Sequence, residues 1–424
     1  MYSYSTRNLI INFVLFAKIY FFFQWQKHFA QKEYRQTALA IKAEQKRVRR
    51  PLQTYLLQSP IQSIFFNKFK LFIYNSLQSY LIFALNNLQA NRNRMQLTTR
   101  TELPTGETVI SHKDNIMLIG SCFADNIGNR LCSMKFRTDC NPFGVQYNPM
   151  SIASVLERVA SGEPFGEDSP ELFLHNSQWH SIMHHGSFSR KNKDELIRNI
   201  NHALSHAHET AKKCDVAIIT FGTAFVYSRK SDNRIVGNCH KLPERDFDRR
   251  MLDTDTIVEK FSHVISLYKS INKDIRFIFT VSPIRHMRDG AHGNQKSKGT
   301  LLLAIDEIIE RNSNCFYFPA YEIMLDELRD YRFYADDMVH PSSMAVEYIW
   351  ESFGKCYFNS NTKTLNSCIE EVARGLSHRP FDAESDGYRR FLKALTEKME
   401  TLTKKHPYLD FEKEITQCNT LLGR

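Results

Sequence analysis

From residue 116 onward, short continuous apolar runs alternate with longer stretches whose apolar positions recur every three or four residues. The runs occupy 116–119, 216–221, 275–281 and 315–318. Continuous rather than alternating runs predict strands buried on both faces, as in a parallel sheet. Between them, 194–213 places Leu196, Ile197, Ile200 and Leu204 at helical spacing, and 253–271 and 298–311 repeat the pattern. A helical stretch also follows the first run, over 123–136. Strands and helices in alternation predict βαβ units and an α/β fold, a three-layer αβα sandwich around a parallel sheet. Ligands of such sheets bind beyond the carboxyl ends of the strands. Past residue 356 the pattern is helical, as in 387–404 with Phe391, Leu392, Leu395 and Leu402. The expected division is therefore a leader over 1–94, an α/β domain over 95–355 and a C-terminal helical extension over 356–424.

The leader changes the meaning of the charge. The 424-residue chain carries a net charge of +10, which on its face points to nucleic acid or an acidic membrane. Residues 1–94 hold 14 Lys/Arg against two acidic residues, Glu33 and Glu44, a net of +12. The remainder holds 42 basic and 44 acidic residues, a net of −2, so the globular part gives no reason to expect a nucleic-acid partner. The leader also lacks Gly, Asp and Cys, and the loss of Gly and Asp removes common turn formers. Its apolar run over 9–25 is interrupted by Lys18 and falls short of the ~20 residues a spanning helix needs. The composition becomes ordinary at Met95. The reading is that 1–94 extends the frame upstream of a start at Met95, with a membrane anchor at 9–25 as the alternative. The nine cysteines include no CxxC pair, and their odd number cannot pair completely, so reduced thiols in a cytoplasmic protein are expected.

The candidate chemistry lies at the strand ends. The first apolar run ends in Gly120-Ser121-Cys122 and passes directly into a helix. A nucleophile on such a turn is favoured by the amides and dipole of the helix N-terminus, which for a thiol raises the thiolate fraction. Taken alone, the same three residues also read as a tight turn with a small thiol. Near the end of the α/β region, Asp337-Met-Val-His340-Pro341 spaces a carboxylate to orient one imidazole nitrogen while the other faces a nucleophile. Ser or Cys early and Asp-x-x-His late make a triad assembled by the fold rather than by sequence proximity.

These motifs resemble the SGNH/GDSL hydrolase superfamily, and within it the GSCFA branch. The resemblance runs over roughly 95–353 and rests on Gly120-Ser-Cys-Phe-Ala124, Asn141-Pro-Phe-Gly-Val-Gln-Tyr-Asn-Pro149, Phe221-Gly-Thr-Ala-Phe-Val-Tyr227, Asn238-Cys-His-Lys241 and Asp337-Met-Val-His-Pro341. By its register Cys122 is the nucleophile, with adjacent Ser121 the alternative, His340 the general base and Asp337 its orienter. The resemblance implies an oxyanion hole formed by the amides of Cys122 and Gly144. The superfamily's third donor, an Asn in a Gly-x-Asn motif, falls on Ala224, with Thr223 or Asn238 as candidate substitutes. Loss of one side-chain donor costs ~3 kcal/mol of transition-state stabilisation. The implied activity is hydrolysis or transfer of an acyl group on a carbohydrate or small-metabolite ester, with no cofactor or metal. The alternative is a non-catalytic binding protein that retains the cleft.

Other polar groups are secondary candidates. His240 and Lys241 are expected to line the pocket and contact an anionic group. His286 follows a strand end and reaches toward the same cleft, and Tyr227, Lys241 and Arg285 form a candidate basic rim. His180, His184 and His185, beside Trp179 and Phe188, lack a carboxylate at a metal-ligand spacing and read as a substrate-facing loop or surface histidines.

Overall fold

The computed structural model describes residues 98–104 and 108–423. The readings on the leader, including the apolar run at 9–25 and a start at Met95, lie outside the described residues. No helix among the described residues is long and apolar enough to cross a membrane.

The chain enters strand β1 (Asn115–Gly120), then helix α1 (Cys122–Ser133) and strand β2 (Arg137–Cys140). Helix α2 (Pro149–Ser161) leads to a hairpin, β3 (Leu172–His175) with β4 (Gln178–Ser181), and to α3 (Lys193–Ala211). Next come β5 (Val216–Phe221), a second hairpin of β6 (Phe225–Arg229) and β7 (Phe247–Met251), and α4 (Thr254–Ile271). Then β8 (Arg276–Val281), α5 (Gly290–Arg311) and β9 (Cys315–Tyr317) complete the α/β alternation. Helices α6 (Ser343–Tyr357), α7 (Ser360–Ser377), α8 (Asp386–Lys405) and α9 (Glu412–Leu421) close the chain.

The main sheet has the order β2-β1-β5-β8-β9, and every pairing is parallel. Because all strands run one way, their carboxyl ends share one edge. The connections diverge between β1 and β5, the position at which sheets of this kind form their ligand crevice. Alternate side chains leave the strands on opposite faces. Met117, Ile119, Ala217, Ile219, Phe277 and Phe279 pack with α2 to α5 on one face. Ile116, Leu118, Val216, Ile218 and Ile278 pack on the other with α1 and α6 to α9. This is the expected three-layer α/β arrangement with C-terminal helices. Those helices fill the second layer of the sheet, and the expected boundary at 355/356 falls within α6.

The four continuous runs became the four inner and flanking strands of the sheet. Edge strand β2 was not foreseen, because Arg137-Thr-Asp-Cys140 is polar and half exposed. Both hairpins were missed as well. Helix α5 starts at Gly290 rather than 298, through a segment with two glycines and no apolar periodicity.

Candidate active site

Glycine ends β1 because nothing larger fits: a Cβ on Gly120 would collide with the Thr220 backbone on β5. This close approach brings the two strand ends together at the crevice. Asn141 secures the turn. Its Oδ1 accepts from the Gly120 amide at 2.8 Å, while its Nδ2 donates to Asp125 Oδ1 at 2.6 Å.

Ser121 and Cys122 then separate. Ser121 is the N-cap of α1 and is fully buried. Its Oγ accepts from the Phe123 amide at 3.3 Å and donates to Ser282 Oγ at 3.0 Å. Cys122 is the first residue of the helix and only partly buried, with its sulfur 3.7 Å from the Tyr147 hydroxyl. Its amide, at the first helical position, has no acceptor within its own helix.

Asp337 and His340 form a pair. Asp337 Oδ2 meets His340 Nδ1 at 2.6 Å, and Oδ1 accepts from the amides of Val339 and His340, each at 2.9 Å. Those amides, His340 first, and then the imidazole hold the Asp337 carboxyl down at about 2. An ionised carboxylate at Nδ1 places the proton there and leaves Nε2 as the base. The loop bearing the pair is fastened to the segment after β8. Arg285 donates its amide to the Val339 carbonyl at 3.2 Å, and its guanidinium lies over Tyr334, 4.3 Å from the ring centroid. No hydrogen bond joins Cys122 to His340 among the described residues. The sequence of contacts runs from Cys122 to Tyr147 and from Tyr147 edge-on to His286, at 5.8 Å between ring centroids.

The other candidates divide. The Gly144 amide already donates to the Asn141 carbonyl at 2.7 Å within its turn, where a positive φ of 79° requires glycine. Ala224 is sealed in the core, and Thr223 faces α5, its hydroxyl 3.1 Å from Ser297 Oγ. Asn238 Oδ1 accepts from the His240 amide at 2.8 Å. His240 is buried, with Nε2 2.8 Å from the Ser181 carbonyl, and burial pulls its pKa to about 4. Lys241 is exposed. Tyr227 lies under Arg249 and Arg288, whereas Arg285 lies against Tyr331 and Tyr334, so the expected rim is not one cluster.

The histidines at 180–185 also differ in placement. His180 bonds Ser189 and His184 bonds Ser181, with His184 stacked on Phe143 at 4.1 Å; His185 is exposed. His180 and His184 are therefore interior residues of the loop layer, not surface groups. No group of His, Cys, Asp or Glu among the described residues converges as a metal site would require.

Two residues near the cleft were not singled out from sequence. Tyr147 lies within the quoted Asn141–Pro149 string but received no role. Lys298 is fully buried, with Nζ 2.7 Å from the Gly222 carbonyl and 2.6 Å from the Ser282 carbonyl. Burial lowers its pKa to about 7. As the first residue of a foreseen amphipathic helix, it carried no sequence signal beyond an ordinary surface charge.

A parallel α/β sheet, with a partly buried thiol at the end of its first strand and an Asp–His pair fastened to the segment after β8, defines the class as a three-layer α/β domain. Within that class the chain belongs to the GSCFA family: that family's model matches residues 115–353, and the GSCFA domain protein, C-terminal domain, matches 369–423. No curated protein matches the sequence. Similar solved structures include a carbohydrate esterase family 3 protein from Talaromyces cellulolyticus, 10% identical, with TM-score 0.29 over 61% of this chain and 99% of that one. An acetyl esterase mutant with acetate ion is 11% identical, with TM-score 0.30 over 61% and 99%. A carbohydrate esterase family 2 enzyme from Corynascus thermopiles (Myceliophthora fergusii) is 13% identical, with TM-score 0.28 over 64% and 68%.

Proposed function

We propose that the protein is a cysteine-dependent acyl hydrolase or acyltransferase acting on an ester of a carbohydrate or small metabolite. Cys122 attacks the carbonyl, His340 takes the thiol proton and returns it to the leaving alcohol, and Asp337 holds the imidazole. The acyl group then leaves the sulfur for water or another acceptor. The observation that carries this reading is the difference between two neighbours: Ser121 is sealed and bonded to Ser282, while Cys122 stands partly exposed beside Tyr147. A thiol with base assistance is also the better nucleophile near neutral pH.

The test is the rate of thiol labelling against pH on the full chain, with Cys122→Ala, Ser121→Ala and His340→Ala beside wild type. Fast labelling mapped to Cys122 near pH 7, slowed by His340→Ala, supports the reading. Labelling no faster than an ordinary thiol, indifferent to His340, removes it.

One set of observations favours a second reading, a binding protein that retains the cleft. Ala224 is buried in the core and the Gly144 amide is engaged, so neither is poised to receive an oxyanion. Saturable binding of a carbohydrate ester without turnover, unchanged in Cys122→Ala, is the outcome this reading requires.

A further inference from the structure

With Ala224 in the core and the Gly144 amide in its turn, an oxyanion formed by attack of Cys122 has the Cys122 amide and needs a second donor from elsewhere. His286 has the placement. It follows β8, and its amide donates to Asn294 Oδ1 at 2.9 Å, fixing the backbone that presents the ring. Its Nε2 is shielded from solvent and has no hydrogen-bond partner among the described residues. That atom stands 3.3 Å from the place a Cβ on Gly222 would occupy, at the end of β5, and the ring meets Tyr147 edge-on. Tyr147 in turn touches the Cys122 sulfur. A buried polar atom without a partner is costly in a folded protein, and one beside the strand-end residue Gly222 has a reason to be there when a ligand atom completes it.

The surroundings favour a neutral ring. Burial first, then the Lys298 charge, hold the His286 pKa down at about 4; His340 and Arg249 act in the same direction, and Asp289 opposes them. A neutral imidazole donates a hydrogen bond without giving up its proton, as in the polarising histidine of triosephosphate isomerase. Lys298 Nζ donates to the Gly222 carbonyl beside it.

From this geometry we infer that His286 donates its Nε2–H to the oxyanion formed on attack by Cys122, in the role that Ala224 does not fill; the inference rests on the acyl-transfer reading. As the S–C bond forms, the thiol proton passes to His340 and the carbonyl π pair moves onto oxygen, where His286 hydrogen-bonds it. As the tetrahedral species collapses, the bond to the leaving oxygen breaks and His340 returns the proton to that oxygen. His286 keeps its proton throughout.

Two probes separate this role from a structural one. p-Nitrophenyl acetate acylates Cys122 through an oxyanion, whereas iodoacetamide alkylates it by displacement and forms none. In the full chain, His286→Ala is expected to slow acylation about 100-fold and leave alkylation unchanged. His286→Gln, which retains an N–H donor, is expected to recover part of the acylation rate. Acylation that proceeds at the wild-type rate in His286→Ala overturns the inference alone, as does an equal fall in both reactions. Wild-type protein that is alkylated but never acylated at Cys122 removes the acyl-transfer reading and this inference with it.

Discussion

Ser121 Oγ donates to Ser282 Oγ at 3.0 Å, and both side chains are fully buried. The bond ties the turn after β1 to the turn after β8 beneath the crevice. Ser121 thus has structural work as a cap and a cross-link, and Cys122 beside it is left partly exposed.

Ser121→Ala is therefore expected to cost stability rather than chemistry. Loss of an N-cap side chain costs ~1 kcal/mol, and the loss of its bond to Ser282 Oγ, which keeps only the Ile284 amide, adds to that. A lower urea midpoint with an unchanged Cys122 labelling rate is the expected pair of results; abolished labelling in a folded variant would contradict it.

Asp337 is held ionised by two amides and an imidazole. Asp337→Asn leaves the turn feasible but no longer fixes the Nδ1–H tautomer of His340. Cys122 labelling near pH 7 is expected to fall roughly 100-fold, within the usual span for base assistance. Comparison with His340→Ala checks this, since the two losses should overlap rather than add.

Lys298 offers a stability signature. Its folded pKa, about 7, lies below its ordinary 10.5, so its contribution is complete above 10.5 and is lost as pH falls through 7. The stability difference between wild type and Lys298→Met should therefore rise between pH 7 and pH 9. Denaturant titrations of both proteins at several pH values measure it, and a flat difference would mean that the ammonium is not desolvated as the structure indicates.

Acid should act through the buried imidazoles. Burial draws His184 to about 3 and His112 and His240 to about 4, all below the ordinary 6.5. Each contributes stability that is present above 6.5 and is lost as pH falls through those values, because the unfolded chain takes up the proton first. His184→Phe, which preserves stacking against Phe143, is expected to make the acid loss shallower, as thermal melts near pH 7 and pH 5 would show.

How much of this was legible in the sequence follows from where information resides. The inner strands β5 and β8 could be read because both faces are buried and the runs are continuous. Edge strand β2 could not, since pairing with β1 alone places polar residues in a strand. Gly120, Cys122, Asp337 and His340 stood out as residue types at informative spacings. The separation of Ser121 from Cys122 depends on Ser282, 161 residues away, which no local pattern contains. Ala224 aligned with a donor position, yet its burial emerged only when β5 met the helix layer.

The second layer of the sheet is completed by the last helices to be synthesised. Phe353 of α6 lines a small interior void with Leu118 of β1, Ile218 of β5 and Ile278 of β8, and Lys135 after α1 pairs with Glu414 of α9 at 2.5 Å. During translation, one face of β1 therefore waits for residues made more than 200 positions later, roughly 10 s or more at usual elongation rates. Until then, of the helices α1 and α6 to α9, α1 alone covers that face of the nascent sheet. A stalled chain ending before Ser343 should be cut by protease around β1, at sites that the released protein protects.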